Sequence, residues 1–292
     1  MGKLLIGCSG WNYPDRAEKG GWVGTFYPSS TTKFLRYYSQ FFNTAEMDSI
    51  FYEKFYSKMG QGTFIGMSKA TPEGFQFSLK VPETVTHKKR MNVADGAMRA
   101  FEDYLERISP LKEANKLGAI LFQLPPSFTV NEFRDVESFL DKLPNGYEYA
   151  LEFRHPSWRT EGPWEMLKHY NIAVAMTDSG NPELKFLSEP IVTSDHALVR
   201  FHGRNPGFWY NYLYKKEELE PWAEKAKEIK KKTRVLRAYY NNHPIAQAVF
   251  NALEFMEMMG ETLTNEQADA KERIIIKLNA IREQTSLGQF TA

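Results

Sequence analysis

Eight short strand-like segments, each followed by a helix-length connection, predict an α/β fold: a (β/α)8 TIM barrel over residues 1–260, with a C-terminal helical extension over residues 261–292. The length agrees, because about 250 residues is typical of such barrels. A doubly wound dinucleotide-binding sheet is the weaker alternative, since neither GxGxxG nor a Walker A pattern occurs and Gly20, Gly21 and Gly24 lie in a long aromatic loop.

Residues 3–8 (KLLIGC) are an apolar run stopped by Ser9-Gly10, the first strand and its turn. The following loop, residues 11–30, sets Trp11, Tyr13, Trp22, Phe26 and Tyr27 among glycines and prolines, so aromatic packing orders it. Phe34, Leu35, Tyr38 and Phe41 recur at helical spacing, which predicts a helix over residues 31–42 capped by Ser30 or Thr31. Residues 44–48 (TAEMD) alternate as the second strand, residues 62–70 read as a weak helix, and residues 75–80 (FQFSLK) are the third strand. A loop bearing His87 spans residues 82–91, and residues 93–116 form an amphipathic helix interrupted or bent at Pro110.

Residues 118–124 (GAILFQL) are the fourth strand, ended by Pro125-Pro126, with a helix over residues 131–143. In residues 151–158 (LEFRHPSW), apolar Leu151 and Phe153 alternate with Glu152 and Arg154, giving a fifth strand whose far end opens into a polar site. A helix over residues 163–170 leads to the sixth strand, residues 172–178 (IAVAMTD), and then to the seventh, residues 197–202 (ALVRFH). A charged helix (residues 217–232), the eighth strand (235–241) and the eighth helix (244–259) complete the count. In residues 265–286, Ile274, Leu278 and Ile281 share a face that either packs on the barrel or makes a subunit contact, so the oligomeric state stays open.

Lys plus Arg number 37 against 36 Asp plus Glu, and the net charge of +1 gives no global pull toward nucleic acid or anionic membrane. The single cysteine excludes an intramolecular disulfide and, with no secretory leader pattern, fits a cytoplasmic chain; no stretch is apolar enough to span a membrane.

The C-terminal strand ends of a closed barrel converge on one mouth, where barrel enzymes keep their sites. Period-two reading places there Glu46 and Asp48, Lys80, Gln123, Glu152 and Arg154, Asp178, and Arg200 with His202. The eighth strand offers Tyr239 and Asn241, or Tyr240 and Asn242, because a one-residue register change exchanges the faces. The competing reading is a salt-bridge network that merely closes the barrel; but burying ions costs several kcal/mol each, so charges drawn from most strands favour a site. His87 and His243 are either surface or lining residues, His155 is a packing residue, and Cys8 is a small buried filler.

The motifs of residues 6–13 (IGCSGWNY), 26–28 (FYP), 46–52 (EMDSIFY), 122–127 (FQLPPS), 152–158 (EFRHPSW), 200–203 (RFHG) and 240–242 (YNN) occur in the order that resembles the YecE-like family, domain of unknown function 72. The resemblance runs from about residue 4 to residue 258 and excludes the tail. It implies a TIM barrel and no established activity. Asp48 and Ile50 stand where the family pattern has asparagine and threonine, and residues 15–21 look like an insertion before Trp22.

Three functions fit the ring. The first is a hydrolase or lyase using acid–base chemistry at Glu152 and Glu46, with Asp48, Asp178 and His202 as further catalytic candidates. In it Arg154, Arg200, Lys80, Gln123 and Asn241 hold a small anionic or sugar-like substrate that Trp11 and Tyr13 stack against, and no cofactor is needed. The second is a metal-assisted phosphoesterase with a divalent ion on Glu46, Asp48, Glu152, Asp178 and His202. The third is a non-catalytic ligand- or nucleic-acid-binding protein using Lys225, Lys227, Lys230, Lys231 and Lys232, a run that reads first as a solvated helix face.

Overall fold

The computed structural model describes residues 2–290. The apolar and alternating segments form eight parallel strands: β1 (Lys3–Cys8), β2 (Thr44–Met47), β3 (Gln76–Lys80), β4 (Leu117–Gln123), β5 (Glu148–Glu152), β6 (Ala173–Asp178), β7 (His196–Phe201) and β8 (Val235–Tyr240). They are ordered β1-β8-β7-β6-β5-β4-β3-β2, the (β/α)8 barrel expected.

Between and after the strands lie α1 (Phe34–Tyr38), α2 (Glu53–Tyr56), α3 (Gln61–Ala70), α4 (Ala97–Glu113), α5 (Phe133–Leu140), α6 (Glu161–His169), α7 (Lys216–Lys232), α8 (Gln247–Met258) and α9 (Asn265–Phe290). The helix expected over residues 31–42 shrinks to α1. Its N-cap is Lys33, without a side-chain cap, while the Ser29, Thr31 and Thr32 hydroxyls bond one another. The expected long helix begins only after Gly96, which has φ 77°, and Pro110 leaves α4 continuous. Proline removes the amide hydrogen that would bond the Glu106 carbonyl, and the Gln61 side-chain amide of α3 donates to that oxygen at 3.0 Å. The loop at residues 82–91 contains a π-helical turn, Thr84–Lys88. The fifth strand stops at Glu152, because His155, preceding Pro156, accepts from the Ser157 amide and starts a 3-10 turn.

β1 and β2 close the ring with little main-chain ladder: one bridge joins Ser9 to Glu46, and the Gly10 amide donates to the Glu46 carbonyl at 2.7 Å. The Tyr38 hydroxyl fills the rest, accepting from the Cys8 amide at 2.7 Å and donating to the Thr44 carbonyl at 3.0 Å. Gly7 permits this approach, since a β-carbon there would lie 2.2 Å from the Thr44 oxygen.

Inside the barrel, Leu121, Ala150, Ala173, Ala175, Leu198 and Tyr239 make a separate apolar layer. The Tyr239 hydroxyl pairs with Thr44 and Ser78, and Arg237 below it bonds Glu148 at 2.5 Å and Gln76 at 2.7 Å. This layer settles the eighth-strand register: Tyr239 points inward, whereas Tyr240 stacks on Phe201 at 4.4 Å in the outer core. α9 lays Ala270, Ile274 and Leu278 into the outer core and donates from Gln267 to the Phe41 carbonyl, while Ile276 is exposed. Among the described residues, no helix is long and apolar enough to cross a membrane.

Candidate functional site

Above the apolar layer, the same period-two faces bring charged side chains together at the C-terminal ends of the strands. Arg200, on β7, reaches both Glu46 of β2 and Glu152 of β5. Its Nε donates to Glu46 Oε2 at 2.8 Å, Nη2 to Glu46 Oε1 at 2.6 Å, and Nη1 to Glu152 Oε2 at 2.6 Å. All three side chains are at most 1% exposed. Ser9 Oγ donates to Glu46 Oε1 at 2.8 Å, and Gln123 Nε2 donates at 2.7 Å to Glu152 Oε1, which Arg154 Nε also pairs.

Every oxygen of the two glutamates is therefore occupied. Burial pushes the Glu152 carboxyl up, but the charges of Arg154 and Arg200 outweigh it and hold the group well below the usual carboxylate range. Burial likewise opposes the Arg200 charge, yet Glu46 and Glu152 raise its proton affinity well above the ordinary value. The two glutamates expected as an acid–base pair are thus brought together on Arg200 in one buried ion cluster, in which Glu152 is held in its charged form.

Arg200 and Gln123 also line an open cavity at the mouth, where they meet further polar groups. Lys80 Nζ lies 3.2 Å from Asp48 Oδ1 and 3.6 Å from the centre of the Phe51 ring. Burial lowers the Lys80 proton affinity and the Asp48 charge opposes it, for a net lowering. Asp48 is held below its ordinary value, burial being outweighed by Lys80 and Arg200. With Arg154, His87, Tyr52 and Tyr210 they line a polar cavity of about 160 Å³. His87 is depressed to about 4 by burial and by Lys80, so it is neutral there.

His202, just past β7, is 1% exposed and also depressed to about 4, first by burial and then by Arg200. Its neutral ring sits between Arg154 Nη2 and the Asn241 amide, 3.2 Å from each, which makes it a spacer between the ion cluster and β8. Trp11 and Tyr13 stand beside the cavity. The Tyr13 hydroxyl donates to the Ser9 carbonyl at 2.7 Å, and its ring stacks on His243 at 5.0 Å, which fixes the first loop.

Asp178 is the site residue that the structure moves elsewhere. β6 turns Ala173, Ala175 and Thr177 inward, so Asp178 faces outward. There it accepts from Arg204 Nε and Nη2, the Tyr214 hydroxyl and Trp222 Nε1, all within 2.8 Å. Ser9 and Tyr210, absent from the sequence-derived set, belong to the mouth; Ser9 was legible as the turn after the first strand, whereas Tyr210 lies in an irregular loop that carries no periodic signal. Cys8 is fully buried, and burial pushes its thiol up. Among the described residues, no group of three or more His, Cys, Asp or Glu is arranged to hold a metal ion.

The family model described as protein of unknown function DUF72 matches residues 5–273, which carries the likeness past residue 258 into α9. UPF0759 protein YunF of Bacillus subtilis is 28% identical over 283 residues, covering 88% of this chain and 94% of the relative. UPF0759 protein YecE of Escherichia coli K12 is 24% identical over 243 residues, covering 76% and 80%. The crystal structure of a DUF72 family protein from Thermotoga maritima is 30% identical, covers 89% of this chain and 100% of its own, and aligns with a TM-score of 0.73. One from Enterococcus faecalis, 21% identical, covers 89% and 97% at 0.70 and agrees in fold. The family match over most of the chain and the agreement of the barrel with a solved member show that the chain belongs to the DUF72 family.

Proposed function

We propose that the barrel mouth is an enzyme site for a small anionic or polar substrate, in which Lys80 exchanges the proton, Asp48 positions Lys80, and Arg154 holds the anionic group. The observation that carries this reading is the division of charges. Arg200 spends its donor nitrogens on Glu46 and Glu152, whereas Lys80 and Asp48 pair with each other at the cavity wall and Arg154, which shares Glu152, lines the cavity beside them. A buried lysine whose proton affinity is drawn down suits general acid–base work, and a guanidinium suits phosphate or carboxylate. Of the residues that could supply ligands to a metal, Glu46, Asp48, Glu152, Asp178 and His202, Asp178 faces away and Arg200 occupies both glutamates, so no observation favours a metal-assisted reaction. The lysine run on α7 is paired at Lys227–Glu224 and Lys231–Glu228, as on a solvated face.

The test is turnover of a panel of small phosphorylated and carboxylated compounds, followed by NMR. For any compound converted by the wild type, Lys80→Met lowers kcat by roughly 10²–10⁴-fold, and Arg154→Met raises KM. Full turnover by a folded Lys80→Met variant, or an unchanged KM in Arg154→Met, refutes the assignment.

A further inference from the structure

The polar cavity, at about 160 Å³, is smaller than the roughly 300–1,000 Å³ of a typical small-molecule pocket, so it suits a headgroup better than a whole ligand. A second cavity of about 470 Å³ adjoins it, and Asp48 and Tyr52 line both. Its other walls are Trp11 and Tyr13 on one side, and Met47, Phe55, Met59 and Met67 on the other. These walls are of different kinds. Tyr13 is held in place by its bond to Ser9 and its stacking on His243, and Trp11 by the Phe77 ring at 5.6 Å, whereas the methionines are adaptable and favour contact with aromatic rings. Phe55 and Tyr52 stand 43% and 46% exposed at the rim, an unfavourable position for large apolar side chains unless something covers them. Asp48 lines both cavities, and its buried Oδ1 meets the Lys80 ammonium at 3.2 Å.

We infer that the substrate has two parts: a phosphate or carboxylate head against Lys80 and Arg154, and a planar apolar group, such as an aryl ring, in the groove between the Trp11–Tyr13 loop and Phe55, Met59 and Met67. This rests on the reading of the mouth given above and adds the class of compound it takes. Asp48 divides the two parts. Its negative charge repels a second anionic group, so the head is directed to the cationic cavity and the remainder of the molecule to the groove. The groove, at about 470 Å³, is itself of ordinary ligand-pocket size, and the headgroup site adjoins it through Asp48 and Tyr52.

Isothermal titration with inorganic phosphate, phenyl phosphate, a hexose phosphate and phenol tests this on the full chain. Phenyl phosphate should bind at least roughly tenfold more tightly than phosphate, the effect of removing one ring from water. Phenol alone should bind more weakly than phenyl phosphate. Phe55→Ala and Met59→Ala, both at partly exposed positions, should reduce the phenyl phosphate to phosphate affinity ratio, and Lys80→Met should weaken both ligands. Equal binding of phosphate and phenyl phosphate overturns the groove assignment and leaves the headgroup site standing. A hexose phosphate that binds more tightly than phenyl phosphate overturns the choice of an apolar group. A ratio unchanged in both groove variants also refutes it, and binding of neither anion refutes the headgroup site and the inference with it.

Discussion

Arg200→Met deletes the guanidinium that holds two fully buried carboxylates. Three of its nitrogens bond Glu46 and Glu152 at 2.6–2.8 Å, and all partners are at most 1% exposed. Breaking one buried ion pair by removing a partner costs about 3–5 kcal/mol, because the charge left behind has neither water nor counter-ion. Here one side chain serves two carboxylates, while Ser9, Gln123 and Arg154 remain to soften the loss. A destabilisation of about 4 kcal/mol at pH 7 follows. With an unfolding entropy of about 2.1 cal/mol/K per residue over 292 residues, that is a Tm decrease of roughly 6–7 °C. The sign with pH is distinctive. In the wild type Glu152 is depressed, so its contribution is present above the ordinary carboxylate value near 4.5 and is lost as pH falls below it. Without Arg200 a buried carboxyl rises above its unfolded value, so the variant's deficit shrinks as pH drops from 7 to 5. Urea and thermal unfolding at the two pH values measure both effects. Adding Glu46→Gln and Glu152→Gln to Arg200→Met should recover at least half of the loss. A cost under about 1 kcal/mol, or no recovery in the triple variant, would show that the cluster is not the electrostatic lock described.

Asp178→Asn should cost about 2–3 kcal/mol, since charge-assisted bonds from Arg204, Tyr214 and Trp222 weaken together, while phosphate affinity at the mouth stays as in the wild type; a loss of affinity would return Asp178 to the site. His202 is depressed to about 4 from an ordinary 6.5, so its stabilising contribution is present above pH 6.5 and is lost as pH falls toward 4. His202→Asn should flatten that part of the stability–pH curve, and the His202 ring protons should show no NMR titration above pH 5; a midpoint near 6.5 would refute the buried neutral ring.

Strand positions were legible because each inward or outward face repeats at period two, and strand ends were over-extended because Asp48, His202 and Asn241 continue the pattern beyond the ladder. The misplacement of Asp178 has a different origin. Ala173, Ala175 and their neighbours Val174 and Met176 are all buried, so both faces of β6 are apolar and the alternation that fixes register disappears. The pairing at Glu46 and Glu152 was not legible for a third reason. Sequence placed two acids and several cations in one ring, but which acid meets which cation depends on stagger between strands, and that alone puts Arg200 between the glutamates. α1 was overlong because aromatic spacing mimicked a helix while Phe34, Tyr37 and Phe41 in fact pack around the rings of Phe26 and Tyr27.

The Gln61–Glu106 bond reaches further than the repair of one helix. Gln61 is the first residue of α3, and the same helix carries Met67 while Met59 stands just before it, so two residues of one wall of the apolar groove lie next to or on the anchored helix. The vacancy that Pro110 leaves in α4 acts as a socket, and the Gln61 amide is the peg seated in it. A change at Pro110 therefore alters how firmly one jaw of the groove is clamped, and the dimensions of the mouth are set in part by a defect in a helix that lines neither cavity.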